Sequence, residues 1–307
     1  MSGIRGIVQP WPAIAFVLIA VLSAAAAQRN EQTFDGPGGK LYYEVTGNGT
    51  PLIVVNGGPG FDHTYLQIGT AAWDMLAKNH RVVFYDQRGN GRSSPLKPGQ
   101  SCTLADQIED LDALRAHLGL EMMDILGHSW GGYLAMAYGA RHPEHVRRMI
   151  IVDSAAPKWS ETKVLFSDVF PETMERRDSF NFGDEMGDKA ASDASTHEYL
   201  TMLFYSAEKR DSWVSQLHSD AYNKEVNRKV NADLDRFDLN PEIRKFGFPT
   251  MVATGRFDMN VAPIVAYRIH QQIPGSRFVV FEHSGHLPFY EEPEAFVRAA
   301  EEFLTAK

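Results

Sequence analysis

The sequence contains very little cysteine. Cys102 is the only cysteine among 307 residues, so no intramolecular disulfide can form. An oxidising compartment is therefore tolerated but is not used to stabilise the fold. Positive charge is also in deficit, because 30 lysines and arginines stand against 39 aspartates and glutamates, a net charge of −9. We therefore predict no nucleic-acid partner.

Long hydrophobic runs are lacking except near the N-terminus. Arg5 precedes the apolar stretch AIAFVLIAVL (13–22), and SAAAAQRN follows it. A positive segment, a short apolar core and small residues are typical of a secretory signal peptide. We predict a signal peptide at 1–27, cut after Ala27, where Ala25 completes the small-x-small pattern. The mature protein would then be secreted or periplasmic, with no stable membrane partner.

An uncleaved N-terminal membrane anchor is the alternative for this segment. The uncharged run from 8 to 27 is long enough to permit an anchor. Its strongly apolar part is short, however, for a membrane span of about 20 residues. Internal repeats are absent, and the remaining composition suits one large domain with an inserted subdomain.

Strand-like and helix-like patterns alternate after the signal segment. KLYYEVTG (40–47) alternates polar and apolar residues, which predicts an edge strand, whereas PLIVVN (51–56) and RVVFYD (81–86) are continuous apolar runs of buried strands. Residues 103–118 have the apolar spacing of one helical face, with Thr103 as N-cap. The alternation predicts an α/β fold: a mostly parallel twisted sheet with helices on both faces.

The alternation breaks between about residues 156 and 240. This stretch is richer in charge, has helical patterns and contains no buried-type strand. We predict a helical cap at 156–240, inserted into a core formed by 28–155 and 241–307. Strand-like patterns resume at PTMVATGRFD (249–258).

The stretch DILGHSWGGYLAM (124–136) places Ser129 between Gly127 and Gly131, after an apolar strand and before an apolar helix. A nucleophilic serine on a sharp strand-to-helix turn needs such small neighbours, because the backbone is crowded there. A short G-x-S-x-G match also arises by chance, and an ordinary helix N-cap is the alternative for this serine.

Two further polar residues follow predicted strands. Asp258 follows PTMVATGRF and His286 follows RFVVFEHSG, so the chain order is Ser, Asp, His. A serine hydroxyl needs a base to take its proton, and the base needs a carboxylate to orient it. We predict that Ser129, His286 and Asp258 form a catalytic triad. Helix capping by Asp258, a structural His286 and His283 as a rival base are the alternatives.

The glycine-rich stretch NGGPG (56–60) ends an earlier strand. Its small backbone can approach the negative oxygen that develops on an attacked carbonyl. We predict an oxyanion hole made by the N–H groups of Gly57 and of Trp130, the residue after the nucleophile. We predict no metal, because no matching cluster of Cys, His and carboxylate ligands is present.

Three motifs, taken together and in this order, are specific enough to indicate a protein family. NGGPG, then FYDQRGNGRS (84–93), then GHSWGG (127–132) resembles the proline iminopeptidase branch of the α/β-hydrolases, and the similarity spans about residues 40–305. The resemblance implies release of an N-terminal residue, often proline, from small peptides through an acyl-enzyme, with no cofactor. Within FYDQRGNGRS, we predict that Arg88 holds the loop structurally.

Two positions depart from the family pattern. Asn56 stands where the family usually has histidine, and Met259 follows the predicted catalytic aspartate where relatives often have an acidic residue that pairs with the substrate ammonium. Glu225 and Glu198 in the cap are the remaining candidates for that pairing, with a solvated helix face as their alternative role. Two other functions stay open: hydrolysis of an ester, lactone or amide without a free amine, and a non-catalytic binding protein.

Overall fold

The computed structural model describes residues 29–218 and 220–306. The predicted signal peptide at 1–27 lies outside the described residues, as do the outermost positions of the predicted core, residues 28 and 307. Within the described part of the chain, none of the helices combines the length and the hydrophobicity that crossing a bilayer requires.

The described strands form one eight-stranded sheet. The strands are β1 (Asn30–Gly36), β2 (Gly39–Thr46), β3 (Thr50–Val55), β4 (His80–Tyr85), β5 (Met123–His128), β6 (Val146–Val152), β7 (Thr250–Gly255) and β8 (Arg277–Phe281). Their order is β1-β2-β4-β3-β5-β6-β7-β8. β1 and β2 join the sheet antiparallel, and all pairings from β4 through β8 are parallel. The prediction of a mostly parallel sheet is therefore confirmed.

The prediction that residues 40–47 form an edge strand is wrong. β2 pairs on one side with β1 and on the other with β4, so β1 is the edge. The alternating pattern misled because one of its polar residues does not face water. Glu44 is buried and accepts hydrogen bonds from Tyr42 and Gln67.

Helices cover both faces of the sheet and bury two apolar layers. The helices of the sheet domain are α1 (Ala72–Leu76), α2 (Leu104–His117), α3 (Trp130–Arg141), α10 (Pro263–Gln272), α11 (Pro288–Glu291) and α12 (Pro293–Leu304). Residues of α2, α3 and α10 belong to one layer, and residues of α1, α11 and α12 belong to the other. Thr103 caps α2 as predicted, and Asp106 bonds back to the Thr103 N–H.

Six α-helices lie between β6 and β7 in the described part of this segment, residues 153–218 and 220–249. They are α4 (Phe166–Val169), α5 (Pro171–Glu185), α6 (Lys189–Thr201), α7 (Ala207–Val214), α8 (Lys224–Leu234) and α9 (Asn240–Ile243). The apolar face of α8 enters one core layer through Val226, Val230 and Leu234. Backbone hydrogen bonds also join this segment to the loop after β3, from Asp62 N to Ala221 O and from Asn223 N to Gly60 O. These helices therefore cover the loop that holds NGGPG.

Candidate active site

Ser129 lies on a sharp turn between β5 and α3. Its backbone has φ 57° and ψ −122°, a conformation that non-glycine residues rarely adopt. A Cβ atom at Gly127 would collide with the Gly131 carbonyl, and a Cβ at Gly131 would collide with the Val55 carbonyl. The two glycines are therefore required by the close approach of α3 to β3 and β5, and the turn presents the serine at the strand end.

Asp258 and His286 form a buried pair at the same edge of the sheet. Asp258 follows β7 and His286 follows β8, and Nδ1 of the imidazole lies 2.7 Å from Oδ2 of the carboxylate. The other carboxylate oxygen accepts the backbone N–H groups of Asn260 and Val261, each at 2.9 Å. The aspartate is thus held in one orientation, and it fixes the imidazole proton on Nδ1.

The remaining nitrogen of His286 contacts an asparagine. Nε2 lies 3.1 Å from Nδ2 of Asn260, whose Oδ1 accepts the hydroxyl of Tyr199 on α6 at 3.3 Å. Since Nδ1 carries the proton, Nε2 accepts from the carboxamide. Ser129 lines the same cavity as His286, but its hydroxyl has no hydrogen-bond partner among the described residues. The structure therefore places Ser129 and His286 in one cavity, with Asp258 bonded to the far side of the imidazole.

The Gly57 N–H is not free to bind an oxyanion. It donates to the Tyr65 hydroxyl at 2.6 Å, which corrects the prediction that this group is one of the two donors. Its neighbour Gly58 lines the cavity beside Ser129, with φ +125°, and its N–H has no acceptor among the described residues. Trp130 is the first residue of α3, so its N–H has no partner within the helix.

A second histidine supports this site. His128 Nε2 lies 2.7 Å from the carbonyl oxygen of His286, and its Nδ1 lies 2.7 Å from the Tyr65 hydroxyl. Burial, and then the nearby His286, lower the pKa of His128 well below its usual value, so the ring is neutral. A carbonyl only accepts, so Nε2 carries the proton and Nδ1 accepts the tyrosine hydroxyl. His128 and Tyr65 were not predicted from the sequence, although a histidine that ends an apolar strand is a signal for such a role.

Gln87 connects the loop after β3 to the serine turn. Its Nε2 donates to the Asn56 carbonyl at 3.0 Å, and its Oε1 accepts the indole N–H of Trp130 at 3.0 Å. The side chain of Asn56 closes its own loop by donating to the Phe61 carbonyl at 2.6 Å. Asparagine at this position therefore stabilises the loop through a backbone contact.

The cavity beside Ser129 is small and mostly apolar. Its volume is about 30 Å³, room for roughly one or two water molecules. Its lining is Gly58, Phe61, Tyr65, His128, Ser129, Tyr199, Leu200, Leu203, Trp213, His286 and Leu287. None of these described residues carries a carboxylate.

Neither cap glutamate lines this cavity, so their assignment to substrate binding stays a prediction. Glu225 has an exposed side chain 3.8 Å from Lys229 on the same helix. Glu198 forms an ion pair with Arg176 at 3.2 Å. The rival base His283 is also outside, with its side chain 69% exposed.

Another group of polar side chains lies away from the cavity. Asp112, His142 and His145 have potential ligand atoms within 4.8 Å of one another. The Asp112 carboxylate already pairs with Arg115 at 2.7 Å and accepts the Tyr138 hydroxyl at 2.8 Å. These contacts already satisfy the carboxylate within the protein.

Comparison with known proteins decides the family. A family model of the alpha/beta hydrolase fold matches residues 50–293. The chain belongs to the α/β-hydrolase family. A proline iminopeptidase from Heyndrickxia coagulans is 31% identical over 90% of this chain and 99% of its own length, and one from Clostridium botulinum is 28% identical over 86% and 94%. The predicted resemblance of this hydrolase to proline iminopeptidases is confirmed.

Solved structures of α/β-hydrolases are also similar to this chain. A thermophilic esterase from Thermogutta terrifontis superposes with a TM-score of 0.69 and 26% identity, covering 91% of this chain and 98% of its own. The esterase RhEst1 from Rhodococcus has a TM-score of 0.73 at 22% identity, covering 90% and 98%, which supports the fold alone.

Proposed function

We propose that this hydrolase is a serine aminopeptidase that releases an N-terminal residue, with proline preferred, from small peptides through an acyl-enzyme. The observation that carries the proposal is the meeting of Ser129 with the His286–Asp258 pair in one cavity of a chain similar to proline iminopeptidases over nearly its whole length. The partner is therefore a small peptide or another small acyl substrate, and the chemistry needs no cofactor.

The geometry supports the following steps. Ser129 Oγ attacks the substrate carbonyl while its proton passes to Nε2 of His286, and Asp258 stabilises the imidazolium. The carbonyl oxygen becomes negative and accepts the N–H groups of Gly58 and Trp130, each contributing about 3–4 kcal/mol. The C–N bond then breaks, and Nε2 returns the proton to the leaving amine. Water then attacks the acyl carbon while Nε2 takes its proton, the ester bond to Ser129 Oγ breaks, and Nε2 returns the proton to Oγ as the acid product leaves.

Two rearrangements must precede the reaction. Asn260 Nδ2 occupies the lone pair of His286 Nε2 that the serine proton requires, so this contact has to open. The cavity volume of about 30 Å³ is also too small for a proline residue, so the cap side chains Tyr199, Leu200 and Trp213 must move outward. Because Tyr199 bonds to Asn260, an outward movement of α6 would open the Asn260 contact and displace Tyr199 and Leu200, while Trp213 moves with α7.

A second candidate function has its own support. The described cavity lining contains no carboxylate, and Met259 packs against the apolar layer, so a substrate ammonium has no anionic partner there. Burying an unpaired ammonium is unfavourable by several kcal/mol. A neutral ester, lactone or blocked amide avoids this penalty, and an esterase is among the similar structures at 26% identity.

A substrate panel on the mature protein tests both functions. The panel contains proline para-nitroanilide, its N-acetylated form and a short-chain aryl ester, each assayed with wild type and Ser129→Ala. The aminopeptidase proposal expects turnover of the free amide above the blocked amide and the ester. Preference for the blocked amide or the ester would replace it with the second function. Ser129→Ala should lower kcat at least about 10³-fold on any true substrate.

We also propose that the protein is secreted or periplasmic after cleavage following Ala27. The composition of residues 1–27 supports export, with an uncleaved membrane anchor as the competing outcome. N-terminal sequencing of the exported protein separates the two: a start at Gln28 supports cleavage, and a start at or near Met1 in the membrane fraction supports the anchor.

A further inference from the structure

A second aspartate lies directly behind the catalytic pair. Asp153 follows β6 just as Asp258 follows the neighbouring β7, so both carboxyl groups emerge at the same sheet edge. Asp153 has φ +45°, and among the described residues only Ser129 is another non-glycine residue with positive φ. Such a conformation is unfavourable unless surrounding contacts impose it, and it occurs preferentially at functional sites.

Specific contacts hold Asp153 in this conformation. Its N–H donates to the Ala253 carbonyl at 3.0 Å, and its Oδ1 accepts the Gly255 N–H at 2.9 Å and the Thr254 hydroxyl at 3.0 Å. The side chain is fully buried. Its Oδ2 receives no hydrogen bond from any donor in the described part of the chain. The potential ligand atoms of Asp153, Asp258 and His286 all lie within 4.8 Å of one another.

The charges in this cluster determine the protonation of Asp153. The titratable groups that face it are Asp258 and His286, and His286 is already paired with Asp258. No lysine or arginine of the described residues forms an ion pair with Asp153. Burial, and then the negative Asp258, raise the pKa of the Asp153 carboxyl well above its usual value. An ionised Asp153 would leave two buried carboxylates sharing a single imidazole.

We propose that Asp153 is a neutral positioning residue whose Oδ2–H donates to the Asp258 carboxylate, and that it is a reserve acid for His286 when Asp258 is absent. This role rests on the proposed function of the triad. Asp258 then has four hydrogen bonds: two backbone N–H groups, the imidazole N–H and the Asp153 hydroxyl. The added hydrogen bond disperses negative charge on Asp258 and thereby lowers the basicity of His286.

The first experiment measures the pH profile of Ser129 labelling by a fluorophosphonate, which reports on the triad whatever substrate it acts on. In Asp153→Asn the carboxamide oxygen can still accept from Gly255 and Thr254, and its NH₂ can donate to Asp258. We expect this variant to label within about twofold of the wild-type rate. The acid limb of its pH–rate profile should move by less than about 0.3 pH units.

Three outcomes overturn the positioning role. A downward shift of the acid limb by about one unit or more in Asp153→Asn means that the substitution removed a negative charge, so Asp153 was ionised and not neutral in the wild type. Asp153→Ala removes the donor, so its acid limb should rise by about 0.5 units, and an unchanged profile in a folded variant contradicts the role. Circular dichroism and thermal melting verify the fold of each variant. A folded wild type that does not label overturns the proposed function itself, and this role with it.

The second experiment tests the reserve acid. Asp258→Ala leaves Asp153 as the only carboxyl group of the cluster, and it can then ionise beside His286. We expect Asp258→Ala to label at least about tenfold faster than the double variant Asp153→Asn, Asp258→Ala. Equal rates in the two folded variants would contradict the reserve role.

Discussion

The Tyr65 hydroxyl accepts the N–H of Gly57 and donates to Nδ1 of His128, at 2.6 and 2.7 Å. His128 in turn donates from Nε2 to the His286 carbonyl. One buried tyrosine therefore joins the NGGPG loop, the residue before Ser129 and, through that residue, the backbone of His286. The donor in each of these hydrogen bonds follows from the two groups at the ends of the chain of bonds, because a carbonyl only accepts and an amide N–H only donates.

Tyr65→Phe should reduce both stability and activity. The substitution leaves the Gly57 N–H and His128 Nδ1 without a buried partner, which lowers the free energy of unfolding by about 1–3 kcal/mol. The loop before Gly58 also loses its anchor, so kcat should fall more than KM rises. Urea denaturation and steady-state kinetics measure these effects. Tyr267→Phe is the control, because among the described residues that hydroxyl bonds only to the exposed Gln271, and its loss should change stability by no more than about 0.5 kcal/mol.

Asn260→Ala should make Ser129 more reactive. Without the carboxamide, Nε2 of His286 is free to accept the serine proton, so fluorophosphonate labelling should accelerate by about twofold to tenfold. The label is small, and its rate reports the nucleophile rather than substrate recognition. Asn181→Ala, an exposed asparagine on α5, is the matched control and should label like wild type. A slower rate in Asn260→Ala would mean that this side chain assists His286.

Stability should depend on pH through His63. Burial alone lowers the pKa of this imidazole, but its hydrogen bonds to Asp86 and Glu44 outweigh burial and raise the pKa to about 9. The ring lies 2.7 Å from Asp86 and 3.5 Å from Glu44. Since the unfolded pKa is 6.5, the protonated ring stabilises the fold fully below pH 6.5, and this contribution is lost as pH rises through 9.

Urea denaturation between pH 6 and 10 measures this contribution. Between pH 6 and 10 the free energy of unfolding of the wild type should fall by up to about 3 kcal/mol relative to that of His63→Gln, because glutamine cannot carry the charge. The variant should be the less stable protein at pH 6, and the difference should shrink with rising pH. A difference that stays constant or grows would show that His63 is not protonated in the fold.

Arg88→Ala should destabilise the protein by about 3–5 kcal/mol. The guanidinium makes two hydrogen bonds to Asp110, at 2.6 and 2.8 Å, and both side chains are buried. Removing it leaves a buried carboxylate without its counter-ion. The exposed pair of Arg256 and Glu282 is the control, and Arg256→Ala should leave the free energy of unfolding nearly unchanged, because solvent screens this pair. Equal effects would contradict the structural role predicted for Arg88.

The sequence by itself determined the order of elements and which polar residues follow the strands of the sheet. Apolar runs bounded by turn residues specify β3, β4 and β5, and the spacing on α2 with Thr103 before it specifies a capped helix. Ser129, Asp258 and His286 could be found because each follows such a strand. Parallel strands bring their carboxyl ends to one edge of a sheet, so strand order along the chain already predicts proximity.

Only the tertiary structure decided which backbone N–H groups near Ser129 have no acceptor among the described residues and which side chains hold Asp258 and His286 in place. Gly57 and Gly58 are equivalent in the sequence, and the contact with Tyr65 distinguishes them. The buried Asp153 and the half-buried Asn260 carry no local signal, because each depends on a side chain from another segment. Local patterns reflect short-range backbone preferences, whereas hydrogen-bond partners depend on how distant segments pack, and that is decided by the fold as a whole.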